Sequence, residues 1–329
     1  MYHKRERMVK PTIRLDAILP NACNYDRAVV SSYCMNAKRK ITLTDLAARK
    51  RDGRKFSVLT CYDYTTAMLM SEAGVDVLLV GDTYAEVCLG HATTLPLKLD
   101  HLLIVTEAVR RGAPDVVLMG DMPYMSYQPS IADAIRNAGR FMAEAGCDCV
   151  KVEVDGQHFR TVEAMAAASI PVVAHLGLRP QNIHLHGGYK AQAKTAADAK
   201  RLIDDALLMA QAGAVMLLLE AVTTEVAKMI TERVSIPVIG CVAGPYCDGT
   251  VVVMHDMLGY AAGHPPQSVK RYAQLRETLI EAFRAYAADV TSGRFPAAEN
   301  GIAMKPEELE RLIASVGRNA DKNAVAPLG

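Results

Sequence analysis

One unit recurs along this chain: a helix end, Ala-Gly, and at once an apolar run. It reads EAGVDVLLV (72–80), EAGCDCVKV (144–152) and QAGAVMLLL (211–219). Glycine supplies the left-handed residue that closes a helix, and the next strand starts immediately. Further apolar runs lie at SVLTCYD (57–63), DVVLMGD (115–121), PVVAH (171–175) and PVIG (237–240). Helical stretches are expected over 41–53, 64–74, about 99–111, 130–145, 157–168 and 223–233. Strand–helix alternation over this length allows an open doubly wound sheet or a (β/α)8 barrel. The barrel is the preferred reading, because the polar candidates come from the ends of at least five strands. The eighth strand is expected within MLGYAAGH (257–264).

Four of the runs stop on a carboxylate: VLLVGD at Asp82, VVLMGD at Asp121, CVKVE at Glu153 and VMLLLE at Glu220. A buried parallel strand is apolar throughout, and its last residue emerges where the next loop begins. These four acids are therefore expected at one end of one sheet. Crowded carboxylates repel one another, so such a cluster calls for a cation or a shared proton. Asp82 and Asp121 are the first choice as metal ligands. Oxygen-only ligation suits Mg²⁺ rather than zinc, and a 2-oxo acid is the kind of ligand that chelates such an ion. Lys151 lies two residues before Glu153 on one strand, hence on the same face. It is either a structural counter-ion or a contact for a substrate carboxylate. His175 ends the fifth strand, as a packing residue or as part of the site. Glu220, after a leucine run, is the natural general base. The loop HGGYKAQAKT (186–195) is a lid over an anionic substrate or an ordinary exposed loop; it decides neither.

Composition narrows the class. The chain has 329 residues, half of them hydrophobic, with 5% aromatics and no Trp, which fits an aliphatic-packed α/β enzyme. The formal net charge is +1, giving no signature of nucleic-acid or membrane binding. Residues 1–56 hold 14 Lys/Arg and 5 Asp/Glu, about +9, leaving the remainder near −8. Residues 1–40 read as a basic, flexible extension, 41–296 as the barrel, and 297–329 as a charged helix followed by a disordered tail. None of the eight cysteines forms a Cys-x-x-Cys pair. They read as reduced thiols in a cytoplasmic-type compartment. No apolar run approaches the roughly 18–20 residues that span a bilayer.

Ordered motifs from about Ile41 to Pro296 carry a family resemblance. They include LTCYDY (59–64), LLVGDT (78–83), GHATTLP (90–96), GDMPYMSY (120–127), VKVE (150–153), AHLGLRPQ (174–181), LLLEAV (217–222), IPVIGCVAG (236–244) and CDGTVVVMHDMLG (247–259). The chain resembles the ketopantoate hydroxymethyltransferases. That resemblance implies a Mg²⁺-dependent (β/α)8 barrel. The implied reaction passes a hydroxymethyl group from 5,10-methylenetetrahydrofolate to 3-methyl-2-oxobutanoate. It further implies Asp82 and Asp121 as direct Mg²⁺ ligands, with Glu153 in the shell through water. Thr83, Asp121 and Lys151 are implied as substrate contacts, Glu220 as the base at C3 and His175 near the reacting centre. A homo-oligomer, commonly a decamer, is also implied. The chain departs from the family pattern at several positions. Thr83 stands for Ser, Tyr84-Ala85-Glu86 for Leu-Gly-Met, Ala92 for Asp and Val242 for Gly. A β-branched residue takes positive φ only at a cost and narrows the approach to the site. Two other readings stay open: a diverged Mg²⁺-dependent 2-oxo-acid aldolase, lyase or hydrolase needing no folate, and a catalytically weak scaffold subunit.

Overall fold

The computed structural model describes residues 39–186, 188, 190–261 and 268–320. The described residues from Ile41 onward form one compact unit. The expected basic extension and the last nine residues of the tail lie outside the described part, as do Gly187 and Tyr189 of the 186–195 loop.

Eight parallel strands close into a barrel in sequence order. They are β1 (Phe56–Thr60), β2 (Val77–Val80), β3 (Val117–Asp121) and β4 (Cys149–Glu153), then β5 (Val172–Gly177), β6 (Met216–Glu220), β7 (Val238–Cys241) and β8 (Gly249–Val252). The helices, in chain order, begin with α1 (Leu43–Arg51), α2 (Tyr64–Glu72), α3 (Tyr84–Val87) and α4 (Leu99–Gly112). Next come α5 (Ile131–Ala143), α6 (Phe159–Ala167), α7 (Ile183–His186) and α8 (Ala196–Gln211). The last are α9 (Thr224–Arg233), α10 (Met254–Leu258), α11 (Leu275–Thr291) and α12 (Pro306–Ala320). Among the described residues no helix is long and apolar enough to cross a membrane.

Side-chain alternation along each strand produces two cores. Val77, Leu79, Val117, Met119, Cys149, Val173, Met216, Leu218, Ile239 and Val251 fill the barrel interior. Leu78, Val80, Leu118, Val150, Val152, Ala174, Leu217 and Leu219 face the helix layer. The inward parity, carried up to the strand ends, falls on Asp121, Lys151, Glu153, His175 and Glu220. The polar cluster thus sits as a cap on the interior core.

Two sequence expectations need correction. The strand expected over 57–63 stops at Thr60, because the Asp63 side chain accepts a hydrogen bond from Thr66 N–H and caps α2. The eighth strand is not within 257–264; it is Gly249–Val252. Residues 257–259 instead hold the end of α10, closed by Gly259 at φ +72°, while 262–264 lie outside the described residues. β7 and β8 are joined by residues 242–248 with no helix between them. The strand–helix rhythm therefore breaks where a strand was sought after a helix.

Candidate active site

Strand register assembles the site. Asp121 pairs with Lys151, Glu153 with His175, Gly177 with Glu220, and Glu220 with Cys241. Inward neighbours on adjacent strands therefore meet across four consecutive strands, β3 to β6. Gly120 lets β3 lie close to α5: a Cβ there would stand 2.5 Å from Phe141 and 2.8 Å from the Cys147 sulfur. Its neighbour Asp121 points the other way, into the barrel.

Asp82, Asp121, Lys151, Glu153 and His175 are all buried. Asp82 N–H donates to Asp121 Oδ2 at 2.9 Å, which locks the β2 loop onto β3. Lys151 Nζ stands 2.7 Å from Asp121 Oδ1 and 3.3 Å from His175 Nδ1. An ammonium group can only donate, so His175 accepts at Nδ1 and carries its proton on Nε2. That Nε2 lies 3.3 Å from Glu220 Oε2, and Nδ1 lies 3.8 Å from Glu153 Oε1. The Glu220 side chain is 21% exposed, the most open of the acids, and it lines the cavity.

Electrostatics follow from this crowding. Burial, with the charge of Asp82 beside it, pushes the Asp121 carboxyl up to about 8 against the pull of Lys151. Burial lifts Glu153 well above the usual carboxylate range; Lys151 counters this, while Asp82, Asp121 and Glu220 add to it. For Lys151, burial works against the ammonium, but the charges of Asp121, Asp82 and Glu153 outweigh it and hold the group charged. Burial and then the Lys151 charge lower His175, keeping its imidazole neutral. Three buried acids crowd one ammonium, an arrangement that favours bound protons or a bound cation.

Glu153 Oε1 and His175 Nε2 are buried without a hydrogen bond, and Asp121 Oδ1 has only its ion pair with Lys151. Buried oxygens of this kind, held beside further carboxylate, suit a hard cation. Among the described residues no three His, Cys, Asp or Glu side chains form a ready-made ion cage. Asp82 and Asp121 offer two neighbouring carboxylates, a number that suits Mg²⁺ when it keeps several waters.

Sequence reasoning missed Gln181 as a functional candidate. It sits in the turn after β5 and reaches across the mouth. Gln181 Nε2 donates to Asp82 Oδ2 (2.9 Å) and to Met122 O (3.0 Å). Gln181 N–H donates to Glu153 Oε2 at 3.0 Å. Its Oε1 accepts from Gln128 Nε2 at 2.8 Å and lies 3.0 Å from the Tyr127 hydroxyl. Tyr127 in turn accepts from Glu153 N–H at 3.0 Å. Thr83 lines the cavity, with its Oγ1 2.5 Å from the Tyr62 hydroxyl. The only signals in the sequence were Gln after Arg-Pro and Tyr in GDMPYMSY, neither of which names a contact.

The cavity over these groups measures about 850 Å³. Its floor is polar, with Asp82, Asp121, Lys151, His175 and Glu220; its walls include Leu218, Val242 and Val251–Val253. Val242 adopts φ +54°. A left-handed, β-branched residue costs about 1–3 kcal/mol of backbone strain. The expectation that Val242 takes this backbone only at a cost thus meets a backbone that does take it.

Closed barrel, polar cap and apolar-walled cavity define the class: a (β/α)8-barrel enzyme with its site at the C-terminal ends of the strands. The family model for ketopantoate hydroxymethyltransferase matches residues 40–298, and the chain belongs to that family. A 3-methyl-2-oxobutanoate hydroxymethyltransferase of Syntrophomonas wolfei subsp. wolfei is 43% identical over 273 residues, covering 83% of this chain and 99% of its own. One of Geobacillus sp. (strain WCH70) is 45% identical over 267 residues, covering 81% and 96%. The fold is shared with phosphoenolpyruvate phosphomutase from Streptomyces platensis subsp. rosaceus. That structure gives a TM-score of 0.54 at 15% identity, covering 85% of this chain and 97% of its own. It is shared also with 2,3-dimethylmalate lyase (TM-score 0.52, 17% identity, 85% and 98% covered).

Proposed function

We propose that this enzyme transfers a hydroxymethyl group from 5,10-methylenetetrahydrofolate to 3-methyl-2-oxobutanoate, giving 2-dehydropantoate, with Mg²⁺ held by Asp82 and Asp121. The reading rests above all on one observation: a buried, excess-acid cluster beside a single charged lysine, facing a more open glutamate across a neutral histidine. Family membership supports the reaction. A divalent cation at Asp82 and Asp121, with Glu153 behind them, supplies Lewis-acid polarisation of the substrate ketone and offsets the carboxylate charge.

The chain's own residues do the rest. Lys151 holds the substrate carboxylate, and the Thr83 hydroxyl flanks it. Glu220 removes the proton from C3, and the electron pair left behind is delocalised into the 2-oxo group as the enolate. His175 Nε2 stands 3.3 Å from Glu220 Oε2, beside the carboxylate that acts as the base. The C3 carbon then bonds to the folate methylene. One carbon–nitrogen bond of the methylene opens as C3 bonds to it, water supplies the hydroxyl as the second breaks, and the two nitrogens take up the C3 proton and a water proton as tetrahydrofolate leaves.

A homo-oligomer in a cytoplasmic setting completes the reading. α11 has no buried residue along its 17 positions. Phe283 and Tyr286 on it are 66% and 63% exposed, and Ile313 on α12 is 63% exposed. A helix hydrophobic on a face that the described residues leave bare needs a partner, and a second copy of this chain is the one proposed.

Deuterium exchange at C3 of 3-methyl-2-oxobutanoate, followed by NMR, tests the chemistry. Exchange is expected only with Mg²⁺, and product only once tetrahydrofolate and formaldehyde are added. Glu220→Gln is expected to bind Mg²⁺ and the 2-oxo acid yet lose exchange by at least about 100-fold. Exchange without folate-dependent product would point to a 2-oxo-acid aldolase or lyase instead. Undiminished exchange in Glu220→Gln would remove that residue from the base role.

A further inference from the structure

Three neighbouring strands leave the barrel around Glu220 through left-handed backbone: Gly177 (φ +93°), Ala221 (φ +50°) and Val242 (φ +54°). Gly177 adopts this freely, and Ala221 carries only a methyl. Val242 is the outlier, since two γ-carbons crowd its own backbone there. Burial does not compensate it, because the residue is 43% exposed. Its side chain lines the cavity, beside Glu220, Cys241 and Leu218. A strained residue that faces a cavity rather than the core directs attention to what the cavity holds.

Its place in the ring gives the role. β7 stands across the eight-strand barrel from β3, which carries Asp121. Cys241, the residue before Val242, is the ladder partner of Glu220, and Ala221 N–H donates to Cys241 O at 2.9 Å. A 2-oxo acid placed with its carboxylate at Lys151 and its C3 toward Glu220, as in the functional reading above, would bring its C3 alkyl groups toward the β6–β8 side. Val242 and Val251–Val253 wall that side. We propose that Val242 is a specificity-determining residue, its isopropyl group setting the largest C3 substituent the site accepts. The inference rests on the functional reading above and adds to it the basis of substrate size selection.

The test compares 3-methyl-2-oxobutanoate with 3-methyl-2-oxopentanoate, one methylene longer, by Mg²⁺-dependent C3 exchange in the full chain. Val242→Ala and Val242→Gly are expected to raise the longer-to-shorter ratio of kcat/KM about tenfold, the scale of one methylene in an apolar pocket. Val242→Ile is expected to lower it. A ratio constant within about twofold across all three variants overturns the proposal. It is equally overturned if melting temperature rises in Val242→Gly while the ratio stays unchanged, since that marks relief of the backbone alone. If the wild-type chain exchanges neither acid, the functional reading itself falls first, and this inference with it.

Discussion

At the scale of single residues the site is a problem of surplus negative charge. Burial and the Asp82 charge push the Asp121 carboxyl up to about 8, which favours its protonated form below that pH in the metal-free protein. A cation needs the carboxylate, so its binding must expel that proton. Mg²⁺ affinity is therefore expected to rise from pH 6 toward about 8 and then level off. Calorimetry in two buffers of different ionisation enthalpy should register proton release of about one per ion near pH 7. Affinity independent of pH over this range would sink the assignment of Asp121. The sign for stability runs the same way. A raised folded-state value stabilises at low pH and is lost as pH climbs through about 8, so the metal-free chain should weaken over that range and Mg²⁺ should restore it.

Among the elements, β5 and the turn that follows it organise the mouth. Gly177 is left-handed at φ +93°, and a Cβ on it would stand 2.5 Å from Glu220 O. Gly177→Ala is therefore expected to cost about 1–3 kcal/mol and to move the end of β6, with loss of C3 exchange. The denaturant midpoint reports the first effect and NMR exchange the second. An unchanged midpoint would show that β5 and β6 have slack at this point. Beyond Gly177, the 3₁₀ turn Pro180–Asn182 swings Gln181 across to Asp82, Met122 and Glu153. One residue, through its side chain and its backbone N–H, thereby ties the ends of three strands together.

For the whole molecule, α11 and α12 are the unfinished part. Phe283 and Tyr286 are solvent-facing in one copy, so Phe283→Glu with Tyr286→Glu should leave the barrel folded. Light scattering is expected to show the wild-type chain above the mass of one chain, and the double variant shifted toward it. A wild-type chain that stays monomeric at tens of micromolar would remove the second copy as the partner of these helices.

Much of this was legible in the sequence, because period-2 burial is a local signal. The apolar runs reveal buried strands, and their final carboxylates mark one end of a sheet. The same alternation puts Lys151 and Glu153 on one face before any coordinates exist. Other features had no local signal. The sequence did not reveal β8, a four-residue strand reached without a helix, nor the bare faces of α11 and α12. Gln181 and Tyr127 became part of the site only when a turn folded them over the strand ends. The left-handed backbone at Val242 was named in the sequence only as a cost, and its realisation depends on neighbouring strand exits. Local periodicity along one chain thus determined the barrel and its ring of acids. Tertiary structure alone decided which strand-end groups meet, which nitrogen of His175 faces Lys151 and which residues wall the cavity, because those depend on contacts between residues far apart in sequence.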